Sequence, residues 1–431
     1  MRVALYEDQQ AVAFGPLTML RPVFELVCGA RSVRERLLRD VPDCEWGVLI
    51  RDSLAASYLE EHPTARVNDR DWLAQADTCL INGRWFPERP CDWRAIANDE
   101  VAVCQGEVVS LTVNRAELAG WDQLSDSSTL QRIAGKRRAR QVAGWVAKHP
   151  WDLVEANGIQ LERDFQRPAT PFDSGKNASA IMVLGDPWRL AVHPTAELQP
   201  CVVLDVRQGP ITIDADARIQ SFTQITGPCH VGPGSHLLQA IVRSGTTIGA
   251  ECRVAGEVHQ TILHGFVNKA HDGFLGHSYV CPWVNLGAGT TTSNLKIDYS
   301  DVGVPIMGDV IDSGKMKVGA FIGDHAKTGL GSLFNTGTSV GVCAMILPAG
   351  KLLPKYVPPF GRVWYGQLTD RSEVEALLET ARLVMSRRGK QLTATNAALL
   401  KNMFAATWID RKRGIADAQR QAAQHTQRRA G

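Results

Sequence analysis

The chain has 431 residues, a formal net charge of +2, and 44% hydrophobic residues. This length predicts two or three domains, and the nearly balanced charge argues against a protein that binds nucleic acid along its whole surface. The N-terminal residues lack the apolar core of a signal peptide, and no stretch approaches the roughly 20 apolar residues of a membrane span. We therefore expect a cytoplasmic protein without a membrane partner.

The first 120 residues alternate short apolar runs with helical patterns. Arg2–Tyr6 and Thr78–Asn82 are predicted to be buried strands, and residues 32–39 an amphipathic helix that begins with a capping box. This alternation indicates an α/β sheet with a crevice at the carboxyl ends of its strands. Residues 122–165 are rich in helix formers, and we predict that they form a helical arm. The arm would close a first domain over residues 1–185.

From about Val192 the apolar period becomes six residues. The positions that follow this period are Val192, Leu198, Leu204, Ile213, Ile219, Ile225, Val231, Leu237, Ile248, Val254, Val280, Leu286, Met316, Ile322, Thr328, Phe334, Val340 and Ile346. Such a period predicts the hexapeptide repeat of a parallel β-helix, in which three steps form one coil with three flat sides. Flat sides must be covered, so we expect a homotrimer. We place this domain at residues 186–366.

The six-residue phase breaks between Val254 and Val280. The break contains Lys269-Ala-His-Asp-Gly-Phe-Leu-Gly276 and is followed by Asn285-Leu-Gly-Ala-Gly-Thr-Thr-Thr-Ser-Asn294-Leu-Lys296. Its glycines let the backbone approach a ligand closely. Histidine suits proton transfer near neutral pH, amides can orient hydroxyl groups, and basic side chains neutralise phosphate. This segment is the predicted active site.

Residues 367–431 are predicted to form a C-terminal helical tail. A capping-box pattern begins at Ser372, and residues 381–431 carry eleven Lys or Arg against two acids. Two interpretations of this basic segment remain open. It is a solvated helical face, or it contacts phosphates or a partner.

The motifs at residues 269–277 and 287–293 resemble the GlmU-like family of bifunctional uridyltransferase/N-acetyltransferase proteins. The resemblance covers roughly residues 240–350 and is much weaker over residues 1–165. It implies an α/β nucleotidyltransferase-like domain, a left-handed parallel β-helix and a helical tail. It also implies the transfer of an acetyl group from acetyl-CoA to an amino-sugar phosphate.

The resemblance implies that His271 is the general base. The substrate contacts that it implies are Arg243, Phe274, Asn285, Asn294 and Lys296, and Lys269 is a further candidate because its ammonium could neutralise a phosphate. Phe274 stands where the family has a tyrosine, so one hydroxyl contact is lost.

For the N-terminal domain, the resemblance implies a nucleoside triphosphate held with Mg²⁺. The glycine-rich loop of the family is replaced here by residues 15–21, and the expected metal position carries Asn82. The candidate nucleotide ligands are Arg21, Arg31 and Asn82. Because Asn82 offers a neutral amide in place of a carboxylate, nucleotidyl transfer is the weaker of the two predicted activities.

Two other functions remain open. His259 and His264, with His271 or His277 nearby, resemble the three-histidine zinc site of γ-carbonic anhydrases. That reading would leave the Asn and Lys side chains of the break without a role. Alternatively, the β-helix is a trimerising scaffold with no catalytic activity.

Overall fold

The computed structural model describes residues 2–89, 96–118, 121, 123–173, 180–369 and 373–430, with residues 421–430 described by backbone alone. A seven-stranded mixed sheet forms the centre of the N-terminal region. Its strands are β1 (Arg2–Tyr6), β4 (Glu45–Leu49), β5 (Arg66–Val67), β6 (Thr78–Asn82), β8 (Glu100–Cys104), β9 (Glu107–Val113) and β10 (Arg138–Gln141), in the order β10-β8-β9-β6-β1-β4-β5. β1 and β6 confirm the predicted strands.

In the described part of this region, two short ribbons and six α-helices surround the sheet. The ribbons are β2 (Val27–Cys28) with β3 (Arg31–Ser32), and β7 (Trp85–Pro87) with β11 (Gly144–Val146). The helices are α1 (Val33–Asp40), α2 (Asp52–Glu61), α3 (Arg70–Leu73), α4 (Arg115–Leu118), α5 (Ser128–Ala134) and α6 (Pro150–Asp164). Helix α1 confirms the predicted capping box, since Ser32 accepts from the Glu35 N–H and Glu35 bonds back to the Ser32 N–H.

The predicted helical arm over residues 122–165 is wrong in its middle, where β10 and β11 lie between α5 and α6. Arg138 and Arg140 both pair with Glu100, which draws these helix formers onto the edge of the sheet. At Gly144 the backbone has a φ of +123°, and a Cβ there would lie 2.4 Å from the Phe86 carbonyl oxygen. Glycine is therefore required where the strand turns, and tertiary pairing overrides local helix propensity.

Residues from Ile181 onward wind into a parallel β-helix with three flat faces, which confirms the predicted architecture; its left-handed winding stays a prediction. The first face consists of β13 (Leu190–Val192), β16 (Ile211–Ile213), β19 (Cys229–Val231), β21 (Thr246–Ala250), β23 (Ile262–Gly265), β26 (Tyr279–Val280), β30 (Ala320–Ile322), β33 (Thr338–Val340) and β35 (Tyr356–Val357).

The second face consists of β14 (Glu197–Leu198), β17 (Arg218–Ile219), the beginnings of β20 (His236–Val242) and β22 (Arg253–His259), β24 (Asn268–Lys269), β31 (Lys327–Thr328), β34 (Met345–Ile346) and β36 (Arg362–Trp364), with β37 (Gln367–Thr369) antiparallel at its end. The third face consists of β12 (Ile181–Leu184), β15 (Val202–Asp205), β18 (Gln224–Thr226), the ends of β20 and β22, β25 (Phe274–Gly276), β27 (Thr291–Thr292) and β32 (Leu333–Phe334).

The six-residue pattern identifies the interior of this β-helix. Every predicted position from Leu204 to Ile346 is buried except Met316, which is 47% exposed, and Val192 and Leu198 in the first coil are half-buried. Burial of each such aliphatic side chain contributes about 1.5–3 kcal/mol relative to exposure. Met316 was assigned wrongly because it belongs to an insertion that leaves the β-helix.

The predicted break between Val254 and Val280 is also wrong. Val254 pairs with Lys269 and Val258 with Leu275, so the parallel ladder continues and only the length of this coil changes. The true interruption comes later, because the chain between Tyr279 and its partner Phe321 is more than twice as long as that in the next coil. The extra chain contains a hairpin of β28 (Gly303–Ile306) and β29 (Asp309–Asp312).

The N-terminal domain covers the first face. Ile262, Tyr279 and Phe321 form one row on this face and enter a hydrophobic core shared with the N-terminal domain. The Tyr279 hydroxyl accepts a hydrogen bond from the Val27 N–H at 2.8 Å. Two regions that are distant in sequence therefore share a single core.

An ion pair between Arg21 and Asp324 lies in this interface. Arg21 Nη1 donates to Asp324 Oδ2 at 3.0 Å and to the Leu17 carbonyl at 3.2 Å. The Asp324 side chain is only 3% exposed. Because both charges are largely removed from water, removal of either one would leave the other buried without compensation and would destabilise the fold.

Three helices complete the described chain: α7 (Val374–Ser386), α8 (Ala394–Ala406) and α9 (Trp408–Ala430). They agree with the predicted helical tail, although the capping box at Ser372 lies outside the described residues. Helices α7 and α8 pack around the corner between the first and second faces, against Val342 and Phe360. In the part of the chain that the structure describes, no helix is long and apolar enough to cross a membrane.

The third face of the β-helix carries several exposed apolar side chains. Its exposed apolar side chains are Met182, Ile241, Leu333 and Leu352. The division of the chain into domains at residues 185 and 366 stays a prediction, and the first paired strand of the stack begins slightly earlier, at Ile181.

We predict that Arg21→Met lowers the free energy of unfolding by roughly 3–5 kcal/mol, because it leaves the Asp324 carboxylate buried without its partner. The double variant Arg21→Met/Asp324→Leu should recover much of this loss. Urea unfolding measures both effects. The control is Arg382→Gln, which removes only the surface pair with Glu379 and should change stability by less than about 0.5 kcal/mol. Equal midpoints for Arg21→Met and the control would contradict a structural role for the buried pair.

Candidate functional site

His271 lies on the turn between β24 and β25, where the second face meets the third, and its side chain is exposed. The turn is fixed by a close approach to the next coil. At Gly273 the φ is +129°, and a Cβ would lie 2.0 Å from the Thr290 carbonyl oxygen. Only glycine fits this position, so His271 is presented to solvent on a rigid turn.

Lys269 supports this turn from inside the β-helix. It is 2% exposed, and its Nζ donates to the Ala255 carbonyl at 2.7 Å and to the His271 carbonyl at 3.0 Å. Burial lowers the pKa of the Lys269 ammonium to about 8. The predicted substrate contact of Lys269 is therefore corrected. Its amine is used to hold the backbone of His271, and it does not reach a ligand.

Asn285 belongs to a row of polar side chains on the second face. Its backbone is bridged to Asn268 on one side and to Lys327 on the other. The Asn268 Nδ2 donates to Asn285 Oδ1 at 2.7 Å, which forms an amide ladder between two coils. Within the described chain, the Asn285 NH2 group has no protein partner, so it is free to bind a ligand.

A cavity of about 520 Å³ lies over this row. Helix α7 forms its other wall. The residues that line it are Arg253, Phe266, Asn268, Trp283, Val284, Asn285, Lys327, Thr380, Val384, Arg387 and Arg388. Of the predicted site residues, only Asn285 lines this cavity.

The other predicted contacts lie on or near the third face. Arg243 pairs with Glu257, and Glu257 stands beside the half-buried Phe274 in the parallel ladder. Asn294 Nδ2 lies 2.8 Å from His277 Nδ1, and the His277 ring lies 5.3 Å from the His259 ring. One chain therefore presents the predicted residues in two groups on two faces.

Lys296 does not join either group through its amine. The Lys296 Nζ donates to Ser300 Oγ at 3.0 Å and to the Asp301 carbonyl, within the loop that leads to the β28–β29 hairpin. Its predicted contact with a sugar phosphate would require these bonds to open.

The arrangement of histidines does not support the zinc site of a γ-carbonic anhydrase. His264 Nδ1 bonds to the Tyr279 hydroxyl at 3.0 Å on the first face, whereas His259 and His277 lie near the third face. Over the residues that the structure describes, no group of three or more His, Cys, Asp or Glu side chains is placed to hold a metal ion.

The three candidate nucleotide ligands lie in separate environments. Arg21 forms an ion pair with Asp324. Arg31 lines a cavity other than the one on the second face, and its Nη1 lies 3.9 Å from Asp164 Oδ1. Asn82 is 1% exposed and donates from Nδ2 to Asp8 Oδ2 at 2.8 Å. The predicted loop and strand ends therefore do not form one nucleotide site in this conformation.

The residues at the carboxyl ends of β1 and β6 do not fit a Mg²⁺ ion. Asp8 forms a bidentate pair with the fully buried Arg84, and Asn82 Oδ1 accepts from the Arg84 N–H at 2.9 Å. Glu7 is likewise paired with Arg51. A divalent cation needs free oxygen ligands, and both carboxylates are already neutralised by arginines.

Sequence reasoning missed every residue that lines the second-face cavity except Asn285. Asn268 and Arg253 were predictable, because each immediately precedes an inward residue on the second face, as Asn285 precedes Leu286. Arg387 and Arg388 had no such signal, since their position depends on how α7 packs.

We predict that His277 makes the protein less stable in mild acid. Burial, followed by the neighbouring His259 and Lys317, lowers the pKa of His277 to about 4. The unfolded chain binds this proton near pH 6.5, so it holds more protons than the folded protein between pH 6.5 and 4. Stability should therefore fall as the pH falls through this window.

The measurement is urea unfolding of parent and His277→Gln at pH 7 and pH 4.5. The variant should lose up to about 3 kcal/mol less than the parent on acidification. His264 and His325, whose pKa values are also lowered by burial, contribute the same acid-induced loss of stability to the parent and to the variant. Identical acid losses in parent and variant would contradict the prediction.

Comparison with known proteins identifies relatives of the chain. Residues 3–170 match the family model for sugar nucleotidyl transferase. The bifunctional sugar-1-phosphate nucleotidylyltransferase/acetyltransferase of Sulfurisphaera tokodaii is 34% identical over 148 residues, which cover 33% of this chain and 36% of that protein.

Two cyanobacterial proteins named bifunctional protein GlmU are also similar. The protein of Gloeothece citriformis is 26% identical over 239 residues, covering 48% of this chain and 47% of its own length, and that of Rippkaea orientalis is 27% identical over 179 residues, covering 36% and 35%. The chain thus spans between about a third and a half of the length of these relatives. The chain therefore combines a region that matches the sugar nucleotidyl transferase family model with a parallel β-helix, and it is similar to proteins named as bifunctional nucleotidylyltransferase/acetyltransferase and GlmU.

Proposed function

We propose that the chain transfers an acetyl group from acetyl-CoA to the amine of an amino-sugar phosphate. The observation that carries this proposal is the amide pair of Asn285 and Asn268 in a basic cavity on the second face, whose strand β24 leads into the rigid turn of His271. The similarity to bifunctional nucleotidylyltransferase/acetyltransferases supports it. An exposed histidine, neutral amides and unpaired arginines suit an amine, hydroxyl groups and a phosphate respectively.

The reaction assigns one step to each group. The His271 imidazole takes a proton from the substrate ammonium, and the free amine then attacks the thioester carbonyl. A C–N bond forms and the C–S bond breaks, and the second proton that the nitrogen loses passes to the departing coenzyme A thiolate. Asn285 orients the substrate through its amide, and Lys269 keeps the His271 backbone in place. The expected gain from such a base is about 10²–10⁴ in rate.

A homotrimer is part of this proposal. One chain places Asn285 on the second face and Arg243, Phe274 and Asn294 on or near the third face. When the third face of one copy packs against the second face of the next, the two groups of residues meet in one cleft. The exposed apolar side chains on the third face support this packing, because they would be buried in it.

The second candidate function is nucleotidyl transfer by the N-terminal domain. The match of residues 3–170 to the sugar nucleotidyl transferase family favours it. The pairing of Asp8 with Arg84 and of Glu7 with Arg51 counts against a metal-dependent reaction at the strand ends. Pyrophosphate release from nucleoside triphosphates and sugar phosphates, with and without Mg²⁺, measures this activity directly.

We predict that His271→Ala lowers the rate of acetyl transfer to glucosamine 1-phosphate by about 10²–10⁴. Thiol release from acetyl-CoA measures the rate. The melting temperature should remain that of the parent, because the His271 side chain is exposed. His193→Ala is the matched control, since it removes another exposed histidine of the β-helix. A parent protein that is inert toward a panel of amino-sugar phosphates would defeat the proposed function.

We predict that two inactive variants restore activity when they assemble together. Arg243→Gln and Asn285→Ala alter different faces, so each should be weak as a homotrimer. In mixed trimers from coexpression at equal levels, about a quarter of the junctions combine an intact third face with an intact second face. Activity should return to roughly that fraction. No recovery in trimers confirmed as mixed by light scattering and affinity tags would show that each site lies within one chain.

A further inference from the structure

A row of polar and basic side chains runs along the second face. Parallel pairing places Arg253 beside Asn268, and single bridges continue the row to Asn285 and Lys327. With about 4.8 Å between neighbouring strands, the row from Arg253 to Lys327 is roughly 14 Å long. Its ends are positively charged and its middle consists of two neutral amides.

Helix α7 adds two arginines to the Arg253 end of this row. Arg387 and Arg388 line the same cavity as Arg253, and over the described residues neither guanidinium group has an ion-pair or hydrogen-bond partner. Among the described residues, the one carboxylate bonded to the cluster is Glu251, at 3.1 Å from Arg253 Nη2. Burial and the nearby Arg253 lower the pKa of Arg388 below its usual range. Three arginines with one carboxylate repel one another, so a bound anion would stabilise this arrangement.

The cluster is positioned before any ligand binds. Arg253 Nη1 donates to the Gly234 and Cys252 carbonyls, both at 2.9 Å, which fixes the plane of its guanidinium group. Phe266 and Trp283 are stacked at 4.2 Å and form an apolar wall of the same cavity. A ligand that fits this cavity is small, carries an anionic group at one end, and has polar, uncharged groups next to it.

We propose that Arg253, Arg387 and Arg388 bind a phosphate group of a small ligand, while Asn268 and Asn285 contact the uncharged part of the same ligand. Arginine is suited to this role because its planar fork donates two parallel hydrogen bonds to phosphate oxygens. The inference rests on the proposed function, which supplies two phosphorylated ligands, coenzyme A and an amino-sugar phosphate. The inference also gives a role to the basic segment of residues 381–431, because Arg387 and Arg388, at the C-terminal end of α7, belong to it.

The test is isothermal titration of the full-length protein at low ionic strength. The double variant Arg387→Gln/Arg388→Gln removes two charges that line the cavity. The matched control, Arg382→Gln/Lys390→Gln, removes two charges from the same part of the chain outside the cavity. The probes are coenzyme A, dephospho-coenzyme A, glucosamine 1-phosphate and glucosamine. Both variants change exposed or half-buried positions, and thermal melts check that both remain folded.

We expect the cavity variant to weaken one phosphorylated probe tenfold or more and to reduce the salt dependence of its binding, while the control changes it less than twofold. A loss for coenzyme A alone places its 3′-phosphate at the arginines, and an equal loss for dephospho-coenzyme A places the diphosphate there. A loss for glucosamine 1-phosphate but not for glucosamine places the sugar phosphate there.

The inference is overturned when no phosphorylated probe binds to the parent, when the cavity variant binds all four probes as the parent does, or when the control loses as much as the cavity variant. The titration tests the inference independently of the proposed function, because it measures binding without turnover. Arginine-dependent phosphate binding in a parent that does not transfer acetyl groups would defeat the proposed function and leave this inference intact. Unchanged binding in both variants of a parent that does transfer acetyl groups would defeat the inference alone.

Discussion

The parallel backbone ladder of the β-helix is the constraint on which the rest of the structure depends. It places residues of successive coils side by side at about 4.8 Å, so that each outward position becomes part of a row. The row Ile262, Tyr279 and Phe321 is apolar and requires a cover, which the N-terminal domain supplies. The row through Asn268 and Asn285 is polar and lines a cavity.

The N-terminal domain is held to the β-helix in part by Arg21, which the sequence offered as a nucleotide ligand. Arg21 reaches across to Asp324, and Arg84 and Arg51 neutralise the carboxylates at the strand ends. Buried charges of this kind are stable only in pairs, so these arginines are committed to the fold. The same contacts explain why a crevice at the ends of parallel strands, a common place for ligands, lacks free oxygen ligands for a cation here.

Near the candidate site, a buried charge stabilises a turn. Lys269 occupies an inward position that an aliphatic residue would fill elsewhere, and its ammonium satisfies two carbonyl groups that the turn leaves unpaired. Lys327, which stands in the outward row with Asn268 and Asn285, also uses its ammonium on backbone, since its Nζ donates to the Trp283 and His325 carbonyls. Both lysines therefore stabilise backbone at the second face, while the amide of Asn285 remains available to a ligand.

The sequence by itself determined the β-helix, because its six-residue period follows directly from which side chains must be buried in each coil. It also determined β1, β6 and the capped helix α1, whose signals are local. It could not decide that residues 138–146 are strands, since their ion pairs and their pairing with β7 come from distant parts of the chain. Nor could it decide which predicted site residues face a cavity, because Lys269 lies where the six-residue phase is lost, and only its pairing with Val254 shows that it points into the coil while Asn285 lines the cavity. The tertiary structure also decided that α7 brings Arg387 and Arg388 over the second face, since the packing of a helix on a distant surface leaves no local pattern.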